Sequence, residues 1–162
     1  MTTDTFVHRP SAPDAPVSGG PLSGLSVIIQ PDLSVRDWPT DAGSKALSGF
    51  CAVFDATLIS RLKGAGASIA GSAPMAELGF GINGSALARI LASDDTLHAG
   101  LMTDTLEKPA RAPAFRTLGV KPTWGIVPLW PYRTCSVHGR HRHSRQTPGG
   151  YRKNDGRHGR TG

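Results

Sequence analysis

A chain of 162 residues has room for one domain of ordinary size, and with 38% hydrophobic and 6% aromatic residues only part of it has the means to pack. Gly 20 and Pro 13, about a fifth of the chain together, make it loop-rich without a fibrous repeat. The formal charge of +6 is concentrated in residues 131–162, where eight Arg and Lys face Asp155 alone, a net of +7, so the first 130 residues carry −1 and only the tail has a polyanion-binding character.

Cys51 and Cys135 are too few for a disulfide scaffold and suit a reducing compartment. There is no apolar run of membrane-spanning length, and residues 1–20 lack the charged and apolar segments of a signal peptide, so a cytoplasmic protein with no membrane association is expected.

Taken in order, residues 1–20 are rich in Thr, Ser, Pro, Ala and Gly, with one Phe6-Val7 pair, and read as a disordered leader. The folded part opens at Pro21-Leu22 and reaches a buried strand, Val27-Ile28-Ile29, that ends at Gln30. A loop built by Pro31, Asp32, Asp37 and Pro39 follows, and strand ends beside loops are where a rigid scaffold holds polar groups. Ser44 to Phe50 reads as a short helical turn or a loop. Asp55 is placed to cap a helix over residues 56–63, which sets Leu58, Ile59 and Leu62 on one face and ends at Gly64 and Gly66. Ser68-Ile69-Ala70-Gly71 is a second strand, and strand, helix and strand within about 45 residues predict a βαβ unit with parallel strands.

The spacing of Leu87, Ile90 and Leu91 predicts a second helix over residues 85–92. An apolar patch over residues 99–102 leads into Thr103-Asp104-Thr105, and residues 118–128 read as a strand and turn punctuated by Gly and Pro. From Tyr132 the apolar periodicity stops, and residues 131–162 are expected to be a disordered basic tail. So abrupt a change of character is that of a shifted reading frame, an expectation the neighbouring DNA would test.

Four blocks, in order, carry a resemblance to the amidase signature family, the group that includes the amidotransferase A subunits. Gly20-Pro21-Leu22-Ser23-Gly24-Leu25 with Val27-Ile28-Ile29, followed by Pro39-Thr40-Asp41-Ala42-Gly43-Ser44, is similar to the family's opening strand and loop. Asp55-Ala56-Thr57 through Arg61-Leu62 to Gly64-Ala65-Gly66-Ala67 and Gly71 resembles the helix and strand that come next. Met75, Glu77, Phe80 and Gly81 form the third block. Thr103-Asp104-Thr105 with Pro113-Ala114-Phe115 and residues 119–125 form the fourth. The resemblance covers roughly residues 20–130, about the first third of a full-length family member. It implies an α/β fold, a fragment of the family's mixed sheet with flanking helices, divided as a leader over 1–20, a truncated amidase-like domain over 21–130 and a tail over 131–162.

The resemblance also implies a mechanism: hydrolysis of carboxylic amide C–N bonds by a nucleophilic serine, a bridging serine and a lysine, with glycine-rich backbone amides at the oxyanion. At each of these positions the chain departs. The lysine position falls on Gln30, whose neutral amide does not accept a proton. The nucleophile position falls on Lys108, with Leu106 and Glu107 where the two preceding glycines stand. Most of the segment between Gly81 and Thr103 that carries the bridging serine is missing, and Ser85 is its remnant, read as a helix cap. No catalytic set is therefore expected, and the chain reads as a pseudoenzyme.

Each of these residues also has an ordinary reading: Gln30 as a solvated loop residue rather than a substrate donor, Lys108 as a solvated charge, Ser85 as a cap. Cys135, His138, His141 and His143 lack the paired geometry of a structural zinc site, so neither a metal nor a cofactor is expected. The rival to the inactive amidase is a non-catalytic binding module. In that reading a protein partner covers exposed sheet edges while the basic tail binds nucleic acid weakly and without sequence preference.

Overall fold

The computed structural model describes residues 6–11, 19–80, 86–103, 117–123, 126–127 and, as backbone, 135–140. Its centre is β1 (Ser26–Ile29), whose residues 27–29 are all buried. Val27, Ile28 and Ile29 are β-branched and apolar on both faces, the pattern of a strand covered on two sides. Because successive side chains point to opposite faces, Val27 and Ile29 enter one core and Ile28 the other.

Each core is closed by one helix. In α1 (Thr57–Gly64), Ile59 packs with Val27, Ile29, Ile69 and Trp38. In α2 (Ala86–Ser93), Leu87, Ile90 and Leu91 pack with Ile28 and Met102 on the opposite face. Burying side chains of this size stabilises by about 1.5–3 kcal/mol each, so these residues dominate the stability of this part of the fold. Gly100 lets α2 come close, since a Cβ there would run into Leu87.

The parallel pairing predicted from the βαβ pattern is present: β1 pairs in parallel with β2 (Ser68–Ser72) and, on its other side, with β3 (Ala99–Thr103). Beyond β3 the sheet turns antiparallel, through β4 (Thr117–Val120) and β5 (Cys135–Arg140), giving the order β2-β1-β3-β5-β4. The fold is thus the mixed α/β sheet that the sequence implies. The turn before α1 also takes one of its two expected forms, a short 3-10 helix over Lys45–Leu47 capped by Ser44.

Three local expectations are corrected. The helix begins after Ala56, with no side-chain cap, and Asp55 instead accepts the backbone N–H of Arg36 at 2.7 Å and pairs with Lys63 at 3.1 Å. Standing one residue too early to cap α1, its carboxylate ties the preceding loop to the helix's last turn. Part of the leader is packed: Val7 N–H donates to the Ser72 carbonyl, and Ser72 N–H donates to the His8 carbonyl. This close approach needs Gly71, where a Cβ would stand 2.5 Å from the Phe6 ring and 2.6 Å from the His8 carbonyl oxygen. Finally, β5 lies within the tail expected to be disordered. Cys-Ser-Val-His-Gly-Arg has a single aliphatic residue and no periodicity, but its backbone pairs with β3 on one side and β4 on the other, and that pairing leaves no apolar signature.

Candidate functional site

The chain leaves β1 through α1 to β2 on one side, then returns through α2 to β3 on the other. In open α/β sheets this reversal opens a crevice at the carboxyl ends of the strands, where ligands bind. Here those ends carry Gln30 and Asp32, just past β1, and Thr103, the last residue of β3.

The three side chains form one buried cluster. Gln30 is 2% exposed, and its Oε1 accepts the backbone N–H of Thr103 at 3.0 Å. The Thr103 hydroxyl donates to Asp32 Oδ2, and both residues are buried. The second oxygen, Asp32 Oδ1, is buried and takes no hydrogen bond from the described residues. Burial pushes the Asp32 carboxyl above its ordinary range, opposed by hydrogen bonds from Thr103 and from backbone amides.

Gln30 is therefore not the solvated loop residue of the ordinary reading. Its carbonyl completes the edge where β1 and β3 diverge, and an amide in that role supplies neither a charge nor a base. Lys108 and Ser85 lie outside the described residues, so of the three sequence-selected positions the structure places Gln30. Asp32 was legible only as a loop former and Thr103 only as part of a motif. An acid three residues past a buried strand was the available signal for their meeting.

Nearby, Ser44 Oγ donates to Glu77 Oε1 at 2.8 Å, fastening the 3-10 turn Lys45–Leu47 to the one over Glu77–Gly79. Among the described residues no group of three His, Cys, Asp or Glu is arranged to hold a metal ion. Cys135 and His138 sit on β5 opposite Thr103 and Gly100, while His141 and His143 lie outside the described residues. Among the described residues, no helix is long and apolar enough to cross a membrane.

A doubly wound parallel half-sheet with its polar cluster at the switch point defines the structural class. The comparisons define the family: the profile described as Amidase matches residues 8–89, about half of the chain. The chain belongs to the amidase family. It is 30% identical over 136 residues to the A subunit of the glutamyl-tRNA(Gln) amidotransferase from Natronomonas pharaonis, covering 69% of this chain and 32% of that protein. The corresponding protein of Rhodopirellula baltica is 47% identical over 62 residues, covering 38% of this chain and 12% of that protein. Similarity extends to the indoleacetamide hydrolase of Pseudomonas savastanoi, 39% identical over 69 residues, covering 43% of this chain and 15% of that protein.

Among solved structures, an amidase family protein from Bacillus anthracis superposes with a TM-score of 0.62 at 24% identity, over 75% of this chain and 32% of that one. The A subunit of the glutamyl-tRNA(Gln) amidotransferase from Thermotoga maritima gives 0.62 at 20% identity, over 83% and 36%. These likenesses establish the fold. The chain spans about a third or less of the length of these relatives.

Proposed function

We propose that this chain is an amidase-family domain fragment that does not hydrolyse amides, its family's C–N bond cleavage having been lost with the proton-transfer residues. The observation that carries this reading is Gln30. It stands at the family's lysine position, and its carbonyl is engaged by the Thr103 amide. A general base must accept a proton near neutral pH, and a carboxamide does not. Leu106, Glu107 and Lys108 in place of the glycines and the nucleophile point the same way. The test is release of carboxylate and ammonia from simple carboxamides by the purified protein. The expected result is the buffer background; turnover above it that a serine-directed probe abolishes would overturn the reading.

A second reading, a binding module, is favoured by the exposed apolar side chains. On the outer strand β4, Leu118 and Val120 are both exposed, and Phe50, Phe54 and Phe80 are exposed as well. Unpaired edges and uncovered apolar groups are features that partners cover. The basic tail would add salt-sensitive contacts to a polyanion. Because Cys135–Arg140 belongs to the sheet, the discriminating truncation removes residues 141–162 and leaves β5 in place. In this reading, nucleic-acid binding falls with added salt and disappears with that truncation.

A further inference from the structure

We propose that the outer edge of β2 is a strand-docking groove for the segment Phe6–Arg9, filled in this structure by the chain's own copy and open to the same segment of a second copy. β2 is the last strand of the sheet on its side, and the segment lies against it through an antiparallel bridge between His8 and Ser72. Strand addition of this kind draws affinity from the backbone and selectivity from what the side chains meet. The backbone part is the pair of hydrogen bonds that Ser72 makes with Val7 and His8, both 2.8 Å long. Three of the four side chains have a counterpart on the folded body. The Phe6 ring lies over Gly71, where a Cβ would collide with it, and packs against the core beneath α2. His8 tilts against Trp38, which belongs to the core beneath α1, with ring centroids 4.7 Å apart. Arg9 stacks 4.7 Å from the Phe6 ring centroid and faces Asp94 at 3.8 Å. Val7 is exposed, so the groove reads the first, third and fourth positions of the segment.

None of these contacts depends on which chain supplies the segment. Trp38, Gly71, Ser72 and Asp94 all belong to the folded body, to which the segment is joined through residues 10–18. Exchange of an identical element between protomers is a low-cost route to a dimer, and every copy carries the sequence that fits. An emptied β2 edge would present unpaired backbone groups beside an open recess at Gly71, so the groove favours being filled. In cis, the tethered segment acts at an effective concentration on the order of millimolar, which keeps the intact chain closed on itself until its own segment is weakened. This inference is independent of the reading of Gln30.

The test uses the full chain carrying both Phe6→Ala and Val7→Pro, which empties the recess and removes the N–H given to Ser72 while leaving the groove itself unchanged. The probe is a synthetic peptide of residues 4–11. It is expected to bind this double variant saturably, to protect the Ser72 amide from hydrogen exchange, and to bind the parent chain at least about tenfold more weakly, because the parent's own segment competes. The same peptide with Phe6→Ala is expected not to bind. If the double variant is unfolded alone, the peptide is expected to restore its circular dichroism. Mixed with a full chain carrying Gly71→Ala, which keeps its segment but crowds its own groove, the double variant is expected to form a dimer by light scattering. Neither binding nor rescue by the peptide, equal affinity for the Phe6→Ala peptide, or equal affinity of parent and double variant would overturn the groove. A mixture that stays monomeric while the peptide binds would overturn the exchange between copies.

Discussion

The two halves of the sheet are built on different terms. In the parallel half, β2, β1 and β3 are covered by α1 on one face and α2 on the other, and Val27, Ile28, Ile29 and Ile69 are almost wholly excluded from water. In the antiparallel half, the outer strand β4 alternates, with Thr117 buried and Leu118 and Val120 exposed at 55% and 49%. The parallel half therefore gains its stability from side-chain packing, whereas the outer strand β4 leaves its two large apolar side chains in water. The polar cluster belongs to the packed half, at the end of its best-covered strand.

The largest break in this contrast is expected from Ile28→Ala, which opens a cavity beneath α2 and should cost about 2–5 kcal/mol in urea denaturation. Gly71→Ala comes next, since the new methyl group must displace Phe6 or the His8 carbonyl. Overpacking of this kind costs about 1–3 kcal/mol, and the loss should be accompanied by faster hydrogen exchange at Val7 and Ser72. A Leu118→Ser change on β4 should stay within about 0.5 kcal/mol of the parent; a cost like that of Ile28→Ala would show the two halves to be packed alike.

Asp32 sharpens the same contrast through pH. Its folded-state carboxyl is raised above the ordinary 3.8, chiefly by burial, so over the interval above that value the folded protein holds a proton that the unfolded chain has released. The stability linked to this proton is complete below about 3.8 and is lost as the pH rises through the folded value. Asp32→Asn does not titrate, so its stability relative to the parent should climb across that interval and level off above it. Denaturation curves at a series of pH values in amine-free buffer check this. A relative stability independent of pH would mean that Asp32 carries no burial penalty.

Much of the packed half was legible in the sequence because its signals are local. Three consecutive β-branched residues mark β1, and Leu87, Ile90 and Leu91 mark the face of α2. The antiparallel half was less so: β5 is a strand through its neighbours, and neither Ser136 nor Gly139 announces it. Phe6 was legible as apolar but not as seated on Gly71, a contact between residues 65 positions apart. At the site, Gln30 was legible as a polar residue at a strand end, but its burial was not. The strand end looked open because a loop follows it, whereas that loop folds back so that residues 31–35 are themselves buried.

Gln30 ties β1 to β3 through its side-chain carbonyl, at the position we propose as the counterpart of the family's lysine. Amide hydrogen exchange at Thr103 tests it most directly, because that N–H is the one donated to Gln30 Oε1. Thr103 is expected to be protected to the level of the core strands, and Gln30→Ala is expected to strip that protection while Ile28 and Ile69 keep theirs. Unchanged protection at Thr103 in the variant would contradict it.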